Sequence, residues 1–244
     1  MSILNSLIGI LFPPRCAICG IPTSHEAGII CPTCQAELPL TYDWLHHENE
    51  LSERIWTLDP RINEVAALMR YAKGFKWRKI IIALKYNSLP GYGRIMGRFM
   101  GRHLSASKHF SDIDIVVPVP LHPFRHMARG YNQSEYIATG VAESLGCKMV
   151  ANALSRRRYN TSQTKLSRRK RWENTENIFS VRKANALSGR HILLVDDVLT
   201  TGSTIVSLAS TILDQVENVR VSIAVLGFVR HPPRRELLAE KSES

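Results

Sequence analysis

The sequence predicts an α/β protein: a parallel sheet with helices packed on it, preceded by a small cysteine-rich piece. Three observations predict it. From about residue 62 onward, apolar runs of strand length alternate with segments of helical period. One such run, "HILLVDDVLTTGST" (191–204), passes through two adjacent acids into a loop of hydroxyls and glycine before a helical pattern. Finally, four of the five cysteines fall within nineteen residues, as "CAIC" (16–19) and "CPTC" (31–34).

A chain of 244 residues accommodates one good-sized α/β domain with a small appendage. Its 44% hydrophobic and 22% charged content argues against disorder. No apolar run approaches the roughly 18–20 residues that span a bilayer, so no transmembrane segment is expected. The opening "MSILNSLIGILFPP" is apolar but short, without a basic region or a small-residue cleavage site. It reads as a packing segment, with peripheral membrane contact as the other reading. The expected location is cytoplasmic.

The two Cys-x-x-Cys knuckles are separated by eleven residues, a zinc-ribbon pattern in which each knuckle offers two thiolates to one ion. Cys16, Cys19, Cys31 and Cys34 are the expected ligands. Sulfur at all four positions leaves none for water, so the zinc is structural. It braces a piece too small to form its own core. Disulfides are disfavoured in a reducing compartment. Cys147 stands apart and reads as a small buried apolar residue.

Next, "LHHENELSERIWTLDPR" (45–61) is polar, contains a proline and reads as a linker. The expected organisation is an N-terminal unit with linker over 1–58 and a larger domain over 59–244. Within the latter, "NEVAALMRYA" reads as a strand, "WRKIIIALKY" and "YGRIMGRFMGRHL" as helices, and "DIDIVVPVP" (112–120) as a strand buried on both faces. "SEYIATGVAESLG" reads as a helix stopped by Gly146. "HILLV" is then a buried strand and "STIVSLASTILDQV" a helix, with Ile205, Leu208, Ala209, Ile212, Leu213 and Val216 on one face. "VRVSIAVLGFV" (219–229) follows as the next parallel strand, through a right-handed crossover.

Ligands of such sheets lie beyond the carboxyl ends of the strands, where Asp196 to Thr204 fall. Gly202 tolerates a positive φ, and Thr200, Thr201, Ser203 and Thr204 add hydroxyls to the backbone N–H groups of a helix start. Together these form a phosphate cup. The lysine of a Walker loop is absent, which argues against a nucleotide hydrolase. Asp196 and Asp197 suit the hydroxyls of a sugar attached to that phosphate, and a nearby Mg²⁺.

The net charge of +11 is local. Residues 156–171, "RRRYNTSQTKLSRRKR", hold eight bases and no acid; the remainder has 24 basic against 21 acidic residues, a balance of +3. A phosphate-rich ligand or a nucleic acid suits such a segment, and a solvated loop is the plain alternative.

Asp-Asp, two residues, then Thr-Thr-Gly-Ser resembles the PRPP (phosphoribosyl pyrophosphate) motif of type I phosphoribosyltransferases. Together with the four-cysteine knob, "LKY" (84–86), "PVPLHPFRHMARGYNQSE" (118–135) and the basic region, the chain resembles the ComF competence-protein family, including GntX-like proteins, over roughly residues 12–230. The resemblance implies a Rossmann-like parallel sheet of the type I phosphoribosyltransferase fold behind a small N-terminal zinc ribbon, and a link to natural DNA uptake. By the same resemblance, Asp196 and Asp197 hold the ribose hydroxyls and Thr200, Thr201, Gly202, Ser203 and Thr204 the 5-phosphate, with Tyr86 nearby. Arg129, Gly130, Asn132 and Gln133 are then candidates for the pyrophosphate loop, and Lys85 adds a charge or is simply a helix-end lysine. The basic segment falls where related enzymes carry a lid, so Arg157, Gln163 and Arg168 would close over pyrophosphate. Arg168, Arg169 and Arg171, flanked by Tyr159 and Trp172, would alternatively follow a nucleic-acid backbone.

Two functions remain in view. One is a Mg-dependent transferase using PRPP. The other is a non-catalytic module that senses PRPP or grips single-stranded DNA beside the uptake machinery. A competence helicase is the partner the resemblance implies.

Overall fold

The fold is taken from a computed structural model, which describes residues 15–23, 29–72, 74–86, 90–122, 124, 127, 129–156 and 178–229. In chain order the elements are α1 (Pro32–Ala36), α2 (Glu50–Trp56), β1 (Val65–Arg70), α3 (Arg78–Tyr86) and α4 (Pro90–Ser105). They continue with β2 (Ile115–Pro118), α5 (Gln133–Leu145), β3 (Lys148–Met149), β4 (Leu154–Arg156), β5 (Phe179–Val181) and α6 (Ala184–Leu187). The last three are β6 (His191–Leu199), α7 (Ser203–Gln215) and β7 (Arg220–Phe228).

Five strands form a parallel sheet in the order β1-β7-β6-β2-β3, and β4 pairs antiparallel with β5 beside it. The period of two along a strand sends alternate side chains of β6 into two separate cores. Leu193 and Val195 meet Leu84, Met96, Ile137 and Val141 of α3, α4 and α5 on one face. Ile192 and Leu194 meet Leu51, Ile55, Leu208 and Ile212 of α2 and α7 on the other. Among the described residues, no helix is long and apolar enough to cross a membrane.

The ribbon packs on the first face. Ile18, Ile30 and Leu38 share its core with Trp77, Ile80 and Met69. The segment after α1 bonds the sheet edge: Arg70 N–H donates to the Pro39 carbonyl at 2.9 Å, and Thr41 N–H to that of Leu68 at 3.2 Å.

Three elements differ from the sequence reading. The segment read as a linker contains α2, because Leu51 and Ile55, one helical turn apart, are fully buried. Its start is secured by Asn49, whose Oδ1 accepts from the N–H groups of Leu51 (3.1 Å) and Ser52 (2.9 Å). The many charges of this segment sit around those two apolar positions and hide their period. Strand β6 runs on through both acids to Leu199, because β7 stays paired with it from Val225 opposite Asp196 to Phe228 opposite Leu199. The β2 strand is shorter than its apolar run. Asp112 and Asp114 precede it and hold His191 instead, Asp112 through the ring at 2.9 Å and Asp114 through the backbone N–H at 2.7 Å.

Helices α4 and α5 meet through glycine. A Cβ on Gly140 would lie 2.0 Å from the Arg94 carbonyl oxygen and 2.6 Å from the Arg98 nitrogen, and one on Gly97 2.1 Å from the Ile137 oxygen. Gly140→Ala is therefore expected to force the helices apart at a cost of about 3 kcal/mol. For a chain of this size that lowers the melting temperature by roughly 6–12 °C. A calorimetric melt unchanged by this variant would contradict the close packing. The predicted stop of α5 is present: Gly146 at φ +69° donates its N–H to the Ala142 carbonyl.

Candidate functional site

The carboxyl ends of the central strands open onto a cavity of about 520 Å³. Of the residues singled out from sequence, Lys85, Arg129, Gln133, Asp196, Asp197, Thr200, Thr201, Gly202 and Thr204 line it. Ser203, Gly130 and Asn132 do not; Ser203 is exposed and turns its hydroxyl to Thr201 Oγ1 at 3.2 Å. Tyr86 ends α3, and its side chain lies outside the described residues. So do Arg157, Gln163, Arg168, Arg169 and Arg171 of the basic segment. What is described are the strands on either side of that segment, which pair with Arg156 opposite Phe179. Arg156 itself lines the cavity, so the segment starts at its wall.

The cup is shaped by backbone. Gly202 takes φ +85° at the head of α7, with no side-chain cap, so the positive end of the helix dipole faces the loop. Helix α2 lies beneath it: Ile55 Cδ1 would be 2.8 Å from a Cβ at position 202. The Arg54 guanidinium donates to the carbonyl oxygens of Thr200 and, at 3.3 Å, of Val229. These contacts tie the cup to a helix the sequence did not disclose.

The acids sit opposite each other in character. Asp197 faces the Lys85 ammonium, Oδ2 to Nζ at 3.0 Å, and its Oδ1 accepts from the Val198 N–H at 2.6 Å. Asp196 accepts from the Ser134 hydroxyl at 2.7 Å and from the Asp197 N–H at 2.9 Å. Burial first, and then the Asp197 charge, push the Asp196 carboxyl up to about 7, against the opposing pull of Ser134 and Lys85.

Residues 131–134 stitch the walls together. The Tyr131 hydroxyl donates to the Leu84 carbonyl at 2.6 Å, steadying the turn that carries Lys85. Asn132 donates to the Val119 carbonyl at 3.0 Å and accepts from Ser134 N–H at the start of α5. Gln133 is 2% exposed, and its amide nitrogen has no hydrogen-bond partner among the described residues, which leaves a donor in the cavity wall. Sequence reasoning missed Arg54, Tyr71, Tyr131, Ser134 and Arg156. Arg156 had a signal as the first base of the charged run, and Tyr131 and Ser134 lay inside the stretch 118–135. Arg54 bonds to groups far away in the chain, and Tyr71 lines the cavity.

The four ribbon thiols offer sulfur atoms all within 4.8 Å of one another, with Cys19 and Cys31 Sγ 3.8 Å apart. Burial opposes ionisation of Cys16, but backbone N–H groups of Cys19, Cys31 and Ile18 hold its thiol down at about 6. Burial and the neighbouring cysteines push Cys34 up to about 12. Four sulfur atoms crowded this closely fit a divalent ion that takes all four as thiolates.

Residues 132–239 match the family model described as a phosphoribosyl transferase domain, and residues 7–44 match the double zinc ribbon domain. The DNA utilization protein YhgH of Escherichia coli O157:H7 is 39% identical over 216 residues, which cover 82% of this chain and 91% of that protein. Competence protein ComFC of Bacillus subtilis is 27% identical over 210 residues, covering 85% and 75%. The chain belongs to the ComF family. Competence protein F of Haemophilus influenzae shares 37% identity over 93 residues, 38% of this chain and 41% of that one. In this ComF-family chain, a parallel sheet of the phosphoribosyltransferase fold stands behind a ribbon whose four cysteines suit a structural zinc.

Proposed function

We propose that the cavity binds PRPP together with Mg²⁺, and that the protein transfers the phosphoribosyl group to an acceptor during the uptake or use of DNA. One observation carries this reading: the acid pair and the hydroxyl-and-glycine cup line a single cavity that Lys85 and Arg129 also face. Their chemistry matches the parts of one ligand. The cup, Thr200, Thr201, Gly202 and Thr204, receives the 5-phosphate, and Asp196 and Asp197 accept from the ribose hydroxyls. Arg129, Lys85 and the Gln133 amide are donors for the pyrophosphate. The acid pair also fits Mg²⁺, whose chemistry when bound is to neutralise charge on the departing pyrophosphate. The bond from the anomeric carbon to the pyrophosphate oxygen breaks with both electrons leaving on oxygen, while the acceptor's lone pair forms the new bond. Side chains contribute positioning and electrostatic stabilisation of the cationic sugar. The names of the relatives, which speak of DNA utilization and competence, support the setting.

The test is calorimetry with PRPP, with and without Mg²⁺, followed by pyrophosphate release against bases, nucleotides and single-stranded DNA. Mg-dependent binding with release in the presence of one acceptor is expected. Absence of Mg-dependent binding would overturn the proposal. The second reading, a binder of single-stranded DNA without turnover, is favoured by the eight bases of residues 156–171. It is distinguished by salt-dependent DNA binding with no pyrophosphate released from any acceptor.

A further inference from the structure

At the opposite end of the sheet, three side chains that no PRPP chemistry uses converge on one point. We infer that His47, Glu64 and His109 form a second metal site, for a first-row divalent ion such as Zn²⁺ or Co²⁺. Glu64 directly precedes β1, His47 lies on the approach to α2, and His109 is in the short 3-10 turn Lys108–Phe110 before β2. Glu64 and His109 precede strands whose carboxyl ends lead to the cavity, and His47 reaches them from the approach to α2.

The donor set is what such an ion takes: two imidazole nitrogens and one carboxylate oxygen. One ligand atom from each residue lies within 4.8 Å of the others. Both rings turn the same nitrogen to the same oxygen, His47 Nδ1 to Glu64 Oε1 at 2.9 Å and His109 Nδ1 at 3.3 Å. The rings are near parallel, at 19° and 6.1 Å between centroids. Ligand atoms about 2.0–2.2 Å from one ion stand roughly 3–4 Å apart, so little has to move beyond the closing of two imidazoles.

The three ligands are also held from behind. The His47 ring packs 4.7 Å from Trp56, and its carbonyl accepts from the Ser52 hydroxyl at 2.9 Å. Glu64 N–H donates to the Ser222 hydroxyl at 3.1 Å, and Glu64 O accepts from Ile223 N–H at 2.8 Å. Ser107 Oγ accepts from His109 N–H at 3.2 Å. Side-chain exposure of 10% for Glu64, 18% for His109 and 51% for His47 makes a site closed on two sides and open on the third. Three protein ligands leave a position for water or an anionic oxygen, unlike the closed ribbon.

The test uses the full-length, untagged protein with its ribbon zinc in place. It is equilibrated with Co²⁺, freed of loose metal, and analysed for total zinc plus cobalt per chain. Two ions per chain are expected, the second without the sulfur-to-cobalt absorption that thiolate ligation produces. In His47→Ala and, separately, Glu64→Gln, the count should fall to one with the ribbon ion retained. His47 is half exposed, so its variant tests the site even if Glu64→Gln fails to fold. A wild-type count of one, or a count of two that survives His47→Ala, would overturn the site. Neither result bears on PRPP binding.

Discussion

The double variant Asp196→Asn with Asp197→Asn is expected to bind Mg-PRPP about 10²–10⁴-fold more weakly. That range follows from losing two charge-assisted hydrogen bonds of about 1.5–3 kcal/mol each. Calorimetry reads it, and affinity within a few-fold of wild type would remove the acids from the ligand. Removing the Asp196 charge should not weaken the fold, whereas Asp197→Asn gives up the ion pair with Lys85. Burial and the neighbouring Asp197 charge hold the Asp196 carboxyl at about 7, far above its ordinary range. The folded chain thus binds a proton that the unfolded chain has released above about pH 4. Stability contributed by this group is complete below that point and is lost as pH rises toward about 7. Asp196→Asn alone should therefore raise the melting temperature more above about pH 7 than near pH 4. Wild type and variant melting in parallel across that window would contradict the assignment. At Asp196, ligand binding and fold stability are expected to pull in opposite directions, because a desolvated carboxyl beside another carboxylate is costly to ionise.

Removing zinc is expected to have the largest effect on stability. Four-thiolate sites contribute apparent binding free energies of about 10–16 kcal/mol in small zinc modules near neutral pH. The loss would not stay within the ribbon. Ile18, Ile30 and Leu38 belong to the same core as Ile80, Met96 and Val116, and the Lys79 ammonium donates to the Ile18 carbonyl at 3.0 Å. A strong chelator, or Cys31→Ser with Cys34→Ser, should lower the melting temperature of the whole chain and expose apolar surface on α3. Dye binding and circular dichroism check both. A melt that is unchanged after complete zinc removal would show the ribbon to be energetically separate from the sheet.

How much of this was legible depends on the range of the forces involved. The cysteine spacing, the period of α7 and the Asp-Asp-to-Thr-Gly-Ser run are local patterns. Gly202 at φ +85° and the αL stop at Gly146 answer to the same local logic. Helix α2 was not legible, because its seven residues carry only two fully buried apolar side chains and their burial depends on α7 and β7 arriving from much later in the chain. Arg54, which holds the cup from below, was lost with it. The bonds from Ser134 to Asp196 and from Tyr131 to Leu84 likewise join residues 62 and 47 apart.

By itself, the sequence determined the class of the fold and the metal-binding knuckles, and it named the candidates for a phosphorylated sugar, since each is written in residue type and short spacing. The tertiary structure alone decided which of those residues share one cavity and that Lys85 faces Asp197. It decided too that a supposed linker is the floor of the cup, and that two histidines and a glutamate meet behind the sheet. Those are consequences of strand order, β1-β7-β6-β2-β3, which brings distant segments together through buried contacts that no local pattern encodes.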